Sequence, residues 1–397
     1  MTTLISKTTV HVPGGGGILL PPASLGVIGG GQLGRMFLQA AQRMGFRTGV
    51  LSATQDDPAA QVAHWSVIAP PDHLPGLRAF VEQTDAVTVE FENVSAPALR
   101  WLARRCPVRP GWRTVWVSQN RIREKSFLTR HGFPHAPWRP IRTEEELGTA
   151  VASLGLPLIL KTAASGYDGK GQIKVDRAQD LELAWAHLGR VPCVAEGWVA
   201  FAAEVSVVVA RGADGQAVSY PVGLNRHERH ILDSTLMPAP VGPAVSNDAR
   251  TIALAIAQAL GTVGVLTVEF FLTADGTLIV NELAPRPHNS GHLTIEAAVA
   301  SQFEQQVRAL CGLPLGGSNL VSPAAMVNLL GDLWSNGEPD WNAALASDPG
   351  VKLHLYGKRT AAPGRKMGHL TVLDADPETA LARALAARRA LTNPHRL

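Results

Sequence analysis

Residues 281–292 read Asn-Glu-Leu-Ala-Pro-Arg-Pro-His-Asn-Ser-Gly-His and set one acid, one arginine, two histidines and two prolines in twelve positions. Glu282 offers hard oxygen ligands. Arg286 is a planar cation, and His288, Asn289 and Ser290 add donors, a set suited to a small, highly charged oxyanion. Packing alone does not require such a density. The segment before it brings a second acid to the same place, because residues 264–273 and 277–282 flank Asp275-Gly276, a pair favoured in tight hairpins. A two-residue loop pairs Ala274 with Thr277 and so predicts Glu269 directly opposite Glu282. Opposed Cβ atoms lie about 5 Å apart, and like charges there destabilise by up to about 1 kcal/mol, which a divalent cation would relieve. Mg²⁺ suits the pair, since it takes few protein oxygens and completes its shell from water and phosphates. Two solvated glutamates on a sheet edge are the bland alternative; the loop that follows favours a metal.

A second constellation lies upstream. Residues 158–161 form an apolar strand ending in Lys161, and residues 162–172 (Thr-Ala-Ala-Ser-Gly-Tyr-Asp-Gly-Lys-Gly-Gln) follow before a strand at 173–175. No Gly-Lys-Ser/Thr opens a helix here, so this is not a Walker loop. Backbone N–H groups of such a flap can cover polyphosphate, with Lys161 and Lys170 as point charges. Tyr167 and Asp168 sit in the flap as candidates for a general base or a substrate ligand. A plain hairpin loop is the competing reading.

These residues need a scaffold, and the composition bounds it. A chain of 397 residues with 46% hydrophobic content forms two or three domains, and 38 glycines suit an α/β protein rich in turns. Thirty-six Lys+Arg against 33 Asp+Glu leave a formal charge of +3 without long like-charge blocks, which points to neither nucleic-acid nor membrane partners. Cys106, Cys193 and Cys311 lack paired spacing, so a reducing cytoplasm is expected. Residues 252–268 are too interrupted to span a bilayer. Residues 1–24 show no secretory pattern and are expected to be a flexible extension.

Residues 25–28 form an apolar strand that runs into Gly29-Gly30-Gly31-Gln32-Leu33-Gly34 and a helical pattern at 35–44. This satisfies G-x-G-x-x-G, but the second strand (48–51) ends in Ser-Ala-Thr without the acid that a dinucleotide ribose requires. A nicotinamide-linked dehydrogenase is therefore disfavoured. An anion site survives at Gly31, Gln32 and Leu33, where a substrate phosphate would meet the helix N-terminus. Further strands at 66–69 and 86–89 and helices at 74–83 and 96–104 complete a parallel α/β unit. Glu90-Phe91-Glu92-Asn93 falls at the carboxyl end of that sheet, and Glu92 is the better ligand candidate of its acids.

Five ordered motifs, at residues 29–36, 88–93, 165–172, 281–292 and 363–369, together resemble the ATP-grasp enzymes, and among them the 5-(carboxyamino)imidazole ribonucleotide synthases. A sibling family of formate-activating transferases shares Pro-Arg-Pro-His but continues Asp-Thr-Gly; Asn289-Ser290-Gly291-His292 here favours bicarbonate. The resemblance implies an α/β chain with a Rossmann-like parallel-sheet domain (25–118), a central α+β ATP-grasp region (119–318, lid 119–195) and a small β-rich C-terminal domain (319–397).

It also implies roles. Arg121 and Lys161 would bind ATP phosphates beneath the flap formed by Gly166, Tyr167, Asp168, Gly169, Lys170, Gly171 and Gln172. Glu196, Gly197, Trp198 and Val199 would form the hinge that reads adenine, Glu204 would take the ribose hydroxyls, and His227 would lie near the nucleotide. Asn281 and Glu282 would face nucleotide or metal, with Glu269 and Glu282 holding Mg²⁺, or Mn²⁺ in its place. Strict alternation points Asn281 away from Glu282, so the strand must bend there or Asn281 must act through its backbone. Arg286, His288, Asn289 and Ser290 would stabilise carboxyphosphate formed from bicarbonate, and Tyr167 and Asp168 would meet the amine of aminoimidazole ribonucleotide. Lys358, Arg365 and Lys366 would hold the ribonucleotide phosphate. A homodimer is the expected assembly. A catalytically dead nucleotide-binding protein is the remaining alternative; the presence of every motif side chain argues against it.

Overall fold

The computed structural model describes residues 9–12, 15–164, 166 and 169–392. Its first sheet is parallel, with strands in the order Trp65–Ile68, Arg47–Ser52, Ser24–Ile28 and Ala86–Val89. Ser24–Ile28 is buried along its whole length, as a central parallel strand with helices on its faces should be. The helix Gln32–Arg43 follows the glycine turn directly. Residues within the expected flexible extension instead include two paired strands, Thr9–Val12 and Gly15–Leu19. Leu19 joins the core beneath Gln32–Arg43, which gives that end of the chain something to pack against.

A second, antiparallel sheet orders Trp138–Ile141, Cys193–Gly197, Leu158–Thr162 and Gln172–Val175. The third begins at Leu278–Ala284 and continues through Gly264–Leu272, Ala203–Arg211, Gly223–Glu228 and Ile231–Met237. It does not stop at the expected domain boundary. Ala324–Leu330 pairs with Ile231–Met237, and Lys366–Leu373 and Lys352–Leu355 extend the same sheet, with the helix Pro377–Ala390 packed over that end. The C-terminal strands are thereby fixed relative to the strand that carries Glu269.

Two local features position the site. Asn120 caps the helix Arg121–Arg130 by accepting from the N–H groups of Ile122 and Arg123 at 3.0 and 3.2 Å, which sets Arg121 at the first helical position. The hairpin between Gly264–Leu272 and Leu278–Ala284 differs from expectation. Thr273 N–H donates to the Thr277 carbonyl at 3.0 Å, so the loop has three residues, Ala274 to Gly276, and Ala274 does not pair with Thr277. Gly276 takes φ +87°, which such loops require, and Asp275 accepts from the Thr277 hydroxyl at 3.2 Å.

That loop alone would slide Asn281 opposite Glu269. An irregularity between Glu269 and Phe270 inserts one extra residue in the partner strand, and Glu269 pairs with Glu282 after all. The bulge sits on an edge strand whose outward groups are taken by neighbours. Lys125 Nζ donates to the Asn281 carbonyl at 3.0 Å, Leu283 N–H to Glu124 Oε2 at 3.0 Å, and Val280 N–H to the Pro134 carbonyl at 2.8 Å. The extra residue of the bulge is Asn281, and its carbonyl is engaged by Lys125.

Candidate active site

The helix Arg121–Arg130 and the strands Leu158–Thr162 and Cys193–Gly197 bring a charge network together. Lys161 Nζ lies 2.9 Å from Glu196 Oε2, Lys125 Nζ lies 3.5 Å from Glu196 Oε1, and Arg121 Nη1 lies 3.1 Å from Glu282 Oε2. Burial pushes the Glu196 carboxyl up, but Lys125 and Lys161 outweigh it and bring it down to about 2. Glu196 is buried in a central strand, paired on both sides, and its side chain holds the two lysines. Gly197 N–H donates to the Pro137 carbonyl at 2.8 Å and Trp198 N–H to the Pro157 carbonyl at 3.3 Å. Of the expected hinge, these two amides are already committed. Trp198 is exposed, with Lys174 Nζ 4.7 Å from its ring centroid.

The flap leaves Lys161 through Thr162, whose N–H donates to the Gly171 carbonyl at 2.8 Å. Gly171 has φ +75°, and a Cβ there would come 2.7 Å from Thr162 Oγ1, so only glycine closes this turn without strain. Gln172 pairs with Lys161 at its far end. Lys170 is exposed, while Tyr167 and Asp168 lie outside the described residues.

On the sheet face, Glu269 Oε1 meets His288 Nε2 at 2.9 Å, His288 Nδ1 lies 2.9 Å from Ser290 Oγ, and Ser206 Oγ donates to Ser290 Oγ at 2.8 Å. Burial raises the Glu269 carboxyl, but His288 beside it prevails and holds it at about 2. Asn289 exchanges two amide hydrogen bonds with buried Asn328, at 3.1 and 2.7 Å, which ties the loop to the C-terminal strands. Glu204 Oε1 and His227 Nδ1 are 3.1 Å apart on the same face.

Arg286 grips Glu92 through Nε at 2.6 Å and Nη2 at 3.5 Å, joining the 281–292 loop to the first domain. Burial raises Glu92, but the Arg286 guanidinium turns the net shift downward, so the pair stays charged. The other acid of the motif behaves differently. Glu90 is buried, and its carboxylate accepts from Gly31 N–H and, at 3.3 Å, from Leu33 N–H. Two of the three amides that the glycine turn was expected to offer a substrate phosphate, those of Gly31 and Leu33, are therefore occupied by the protein's own Glu90.

Lys358 contributes a favourable charge to Glu90, its Nζ donates to the Lys366 carbonyl at 2.6 Å, and Gln61 donates to the Gly357 carbonyl at 2.8 Å, so the 356–366 segment closes onto the first domain. Arg365 is exposed and donates to the Thr360 carbonyl at 2.7 Å. Lys366, charged and half-buried, acts on both His227 and His292. A surface groove lined by Trp101, Trp112, Trp116, Arg100 and Arg104 contains none of these residues.

Sequence reasoning ranked Glu90 below Glu92 and missed Glu124, Lys125, Ser206 and Asn328. Their only shared signal is polarity within buried elements, which becomes visible once the partners are known. His292, read from sequence only as part of the motif, is a fully buried ring lying against Phe303, Tyr356 and His369.

A lysine-ended strand under a glycine turn, cross-braced to a sheet bearing two opposed acids, belongs to the ATP-grasp ligases. Residues 126–303 match the ATP-grasp domain model, 23–119 the ribonucleotide synthetase preATP-grasp domain, and 324–383 the phosphoribosylaminoimidazole carboxylase C-terminal domain. The chain belongs to the N5-carboxyaminoimidazole ribonucleotide synthase family. A Bacillus subtilis member is 42% identical over 356 residues, covering 90% of this chain and 93% of its own. A Brucella melitensis member is 42% identical over 355 residues, covering 89% and 97%. The Staphylococcus aureus enzyme complexed with ADP superposes with a TM-score of 0.86 at 37% identity, covering 93% of this chain and 98% of that one. The Aspergillus clavatus enzyme in complex with ADP and 5-aminoimidazole ribonucleotide gives 0.85 at 32% identity, with coverage of 93% and 98%.

Proposed function

We propose that this enzyme uses ATP and bicarbonate to carboxylate the exocyclic amine of 5-aminoimidazole ribonucleotide, releasing ADP and phosphate. One observation carries the reading. The 281–292 loop runs from Glu282, paired with Arg121, to Arg286, paired with Glu92 of the first domain, and so connects a nucleotide side to a ribonucleotide side.

In this reading Lys161 and Arg121 neutralise ATP phosphates, and the flap from Gly166 to Gln172 shields them from water. Val199 and the hinge carbonyls read adenine, while Glu204 and His227 face the ribose. Glu269 and Glu282 fit a hard divalent cation, since each has one oxygen held by a neighbour, His288 for Glu269 and Arg121 for Glu282, and a second oxygen to offer. They would hold Mg²⁺, or Mn²⁺, which would supply charge neutralisation at the transferring phosphate. A bicarbonate oxygen attacks the γ-phosphorus and the bond to ADP breaks, giving carboxyphosphate. Arg286, His288, Asn289 and Ser290 hold its oxygens. Its C–O bond then breaks, phosphate keeps the bridging oxygen, and the amine takes the carbon while Asp168, with Tyr167 beside it, accepts the proton. Because Glu90 fills the glycine turn, Lys358, Lys366 and Arg365 hold the ribonucleotide phosphate, and Gly31, Gln32 and Leu33 shape the wall around it.

A cytoplasmic setting and a homodimer belong to the same reading and rest on resemblance. No helix among the described residues is long and apolar enough to cross a membrane. The test is ADP release with ATP, Mg²⁺, bicarbonate and aminoimidazole ribonucleotide, omitting each in turn. Full turnover requires all four, and formate does not replace bicarbonate. Formate-supported release would move the chain to the sibling chemistry. Asp168→Asn should lower carboxylation by about a hundredfold or more with ATP affinity kept; equal loss of both would remove the base role.

A further inference from the structure

We propose that the nucleotide-free enzyme binds one first-row transition-metal ion through Glu204, His227 and Glu269, and that this ion competes with nucleotide. One ligand atom from each of the three lies within 4.8 Å of the others. The sheet builds the cluster. Glu204 pairs with Asn225, Ser206 with Glu269, and His227 follows Asn225 by two positions, so all three side chains share a face. A register irregularity beside His227 inserts Asp233 as an extra residue in the neighbouring strand Ile231–Met237.

His227 Nδ1 is shielded from solvent and faces Glu204 Oε1 at 3.1 Å, an oxygen of a second member of the cluster. Zinc bonds of about 2.0–2.2 Å set neighbouring ligand atoms about 3–3.6 Å apart, so small side-chain rotations complete the site. The three side chains are 18–23% exposed, which allows an ion to enter.

The donor set chooses the metal. Two carboxylates and an imidazole suit Mn²⁺, Co²⁺ or Zn²⁺, whereas Mg²⁺ prefers oxygen alone. This site is distinct from the opposed pair, because it replaces Glu282 with Glu204 and His227. Glu269 is common to both and keeps its contact with His288 through Oε1, which leaves Oε2 for a metal. The competition with nucleotide rests on the proposed role of Glu204 and His227 at the ribose; the metal site itself does not.

Titration of the full-length, metal-free enzyme with cobalt(II) chloride, read by visible absorption, tests it. One Co²⁺ per chain is expected, with affinity reduced at least tenfold in Glu204→Gln and in His227→Gln and retained in Glu282→Gln, all three checked for folding by circular dichroism. ADP without Mg²⁺ should displace the ion. Unchanged affinity in both Glu204→Gln and His227→Gln, or loss in Glu282→Gln alone, would overturn the site. ADP that binds while Co²⁺ stays in place would overturn the competition and leave the nucleotide reading intact.

Discussion

Lys161, Lys125 and Glu196 form a buried set with two cations and one anion, and Glu196 is the member that holds the others in place. Removing its charge leaves two ammonium groups facing each other without compensation. Glu196→Gln is expected to cost about 3–5 kcal/mol, read as a lower urea midpoint; an unchanged midpoint would show that water already screens the pair. Arg286→Lys keeps the charge but cannot reach both Glu92 oxygens. It should lower kcat by about tenfold or more in steady-state ADP release while the KM for ATP holds. The choice between Glu90 and Glu92 shows where a sequence stops informing. Both are acids after the same strand, and what separates them is a partner far along the chain, the glycine turn for one and Arg286 for the other.

At the scale of elements, the hairpin carrying Glu269 and Glu282 was legible in its alternation and its Asp-Gly turn. The loop length and the bulge were not, because both depend on hydrogen bonds to Thr273 and to the helix Arg121–Arg130. Two departures from the ideal hairpin offset each other, and the acid pair follows from their sum. Since Lys125 holds the Asn281 carbonyl, Asn281→Ala should stay within about 1 kcal/mol of the parent in thermal unfolding, while Lys125→Met should lose about 3–5 kcal/mol.

Glu124 at the same joint gives a pH signature. Burial pushes its carboxyl up from 4.5 to about 8 despite Lys125 beside it. A raised folded pKa means that its contribution is complete below 4.5 and is lost as pH rises through about 8. Urea midpoints of the parent should fall across that window, and Glu124→Gln should flatten the fall. A parallel decline in the variant would assign it to other groups.

For the whole molecule, the parallel first domain, the α+β character of the centre and the order of motifs followed from periodicity and resemblance. The continuity of the third sheet into the C-terminal strands did not, because the partner of Ala324–Leu330 is a strand nearly a hundred residues earlier. That continuity lets Asn328 position Asn289 from another part of the chain. Asn328→Ala should lower kcat by about tenfold to a hundredfold with little change in the KM for ATP, measured by initial rates; a pure stability loss with normal kcat would contradict this coupling. Acid should act on the same assembly. Glu196 and Glu269, both held at about 2, contribute stability above 4.5 that is lost as pH falls toward their folded values.

In the proposed reaction, bicarbonate is activated by phosphoryl transfer beside the 281–292 loop before the amine takes its carbon. Turnover with oxygen-18-labelled bicarbonate tests it most directly, with the released phosphate analysed by mass spectrometry. One labelled oxygen per phosphate formed is expected. Phosphate carrying no label while the carboxylated ribonucleotide accumulates would contradict it.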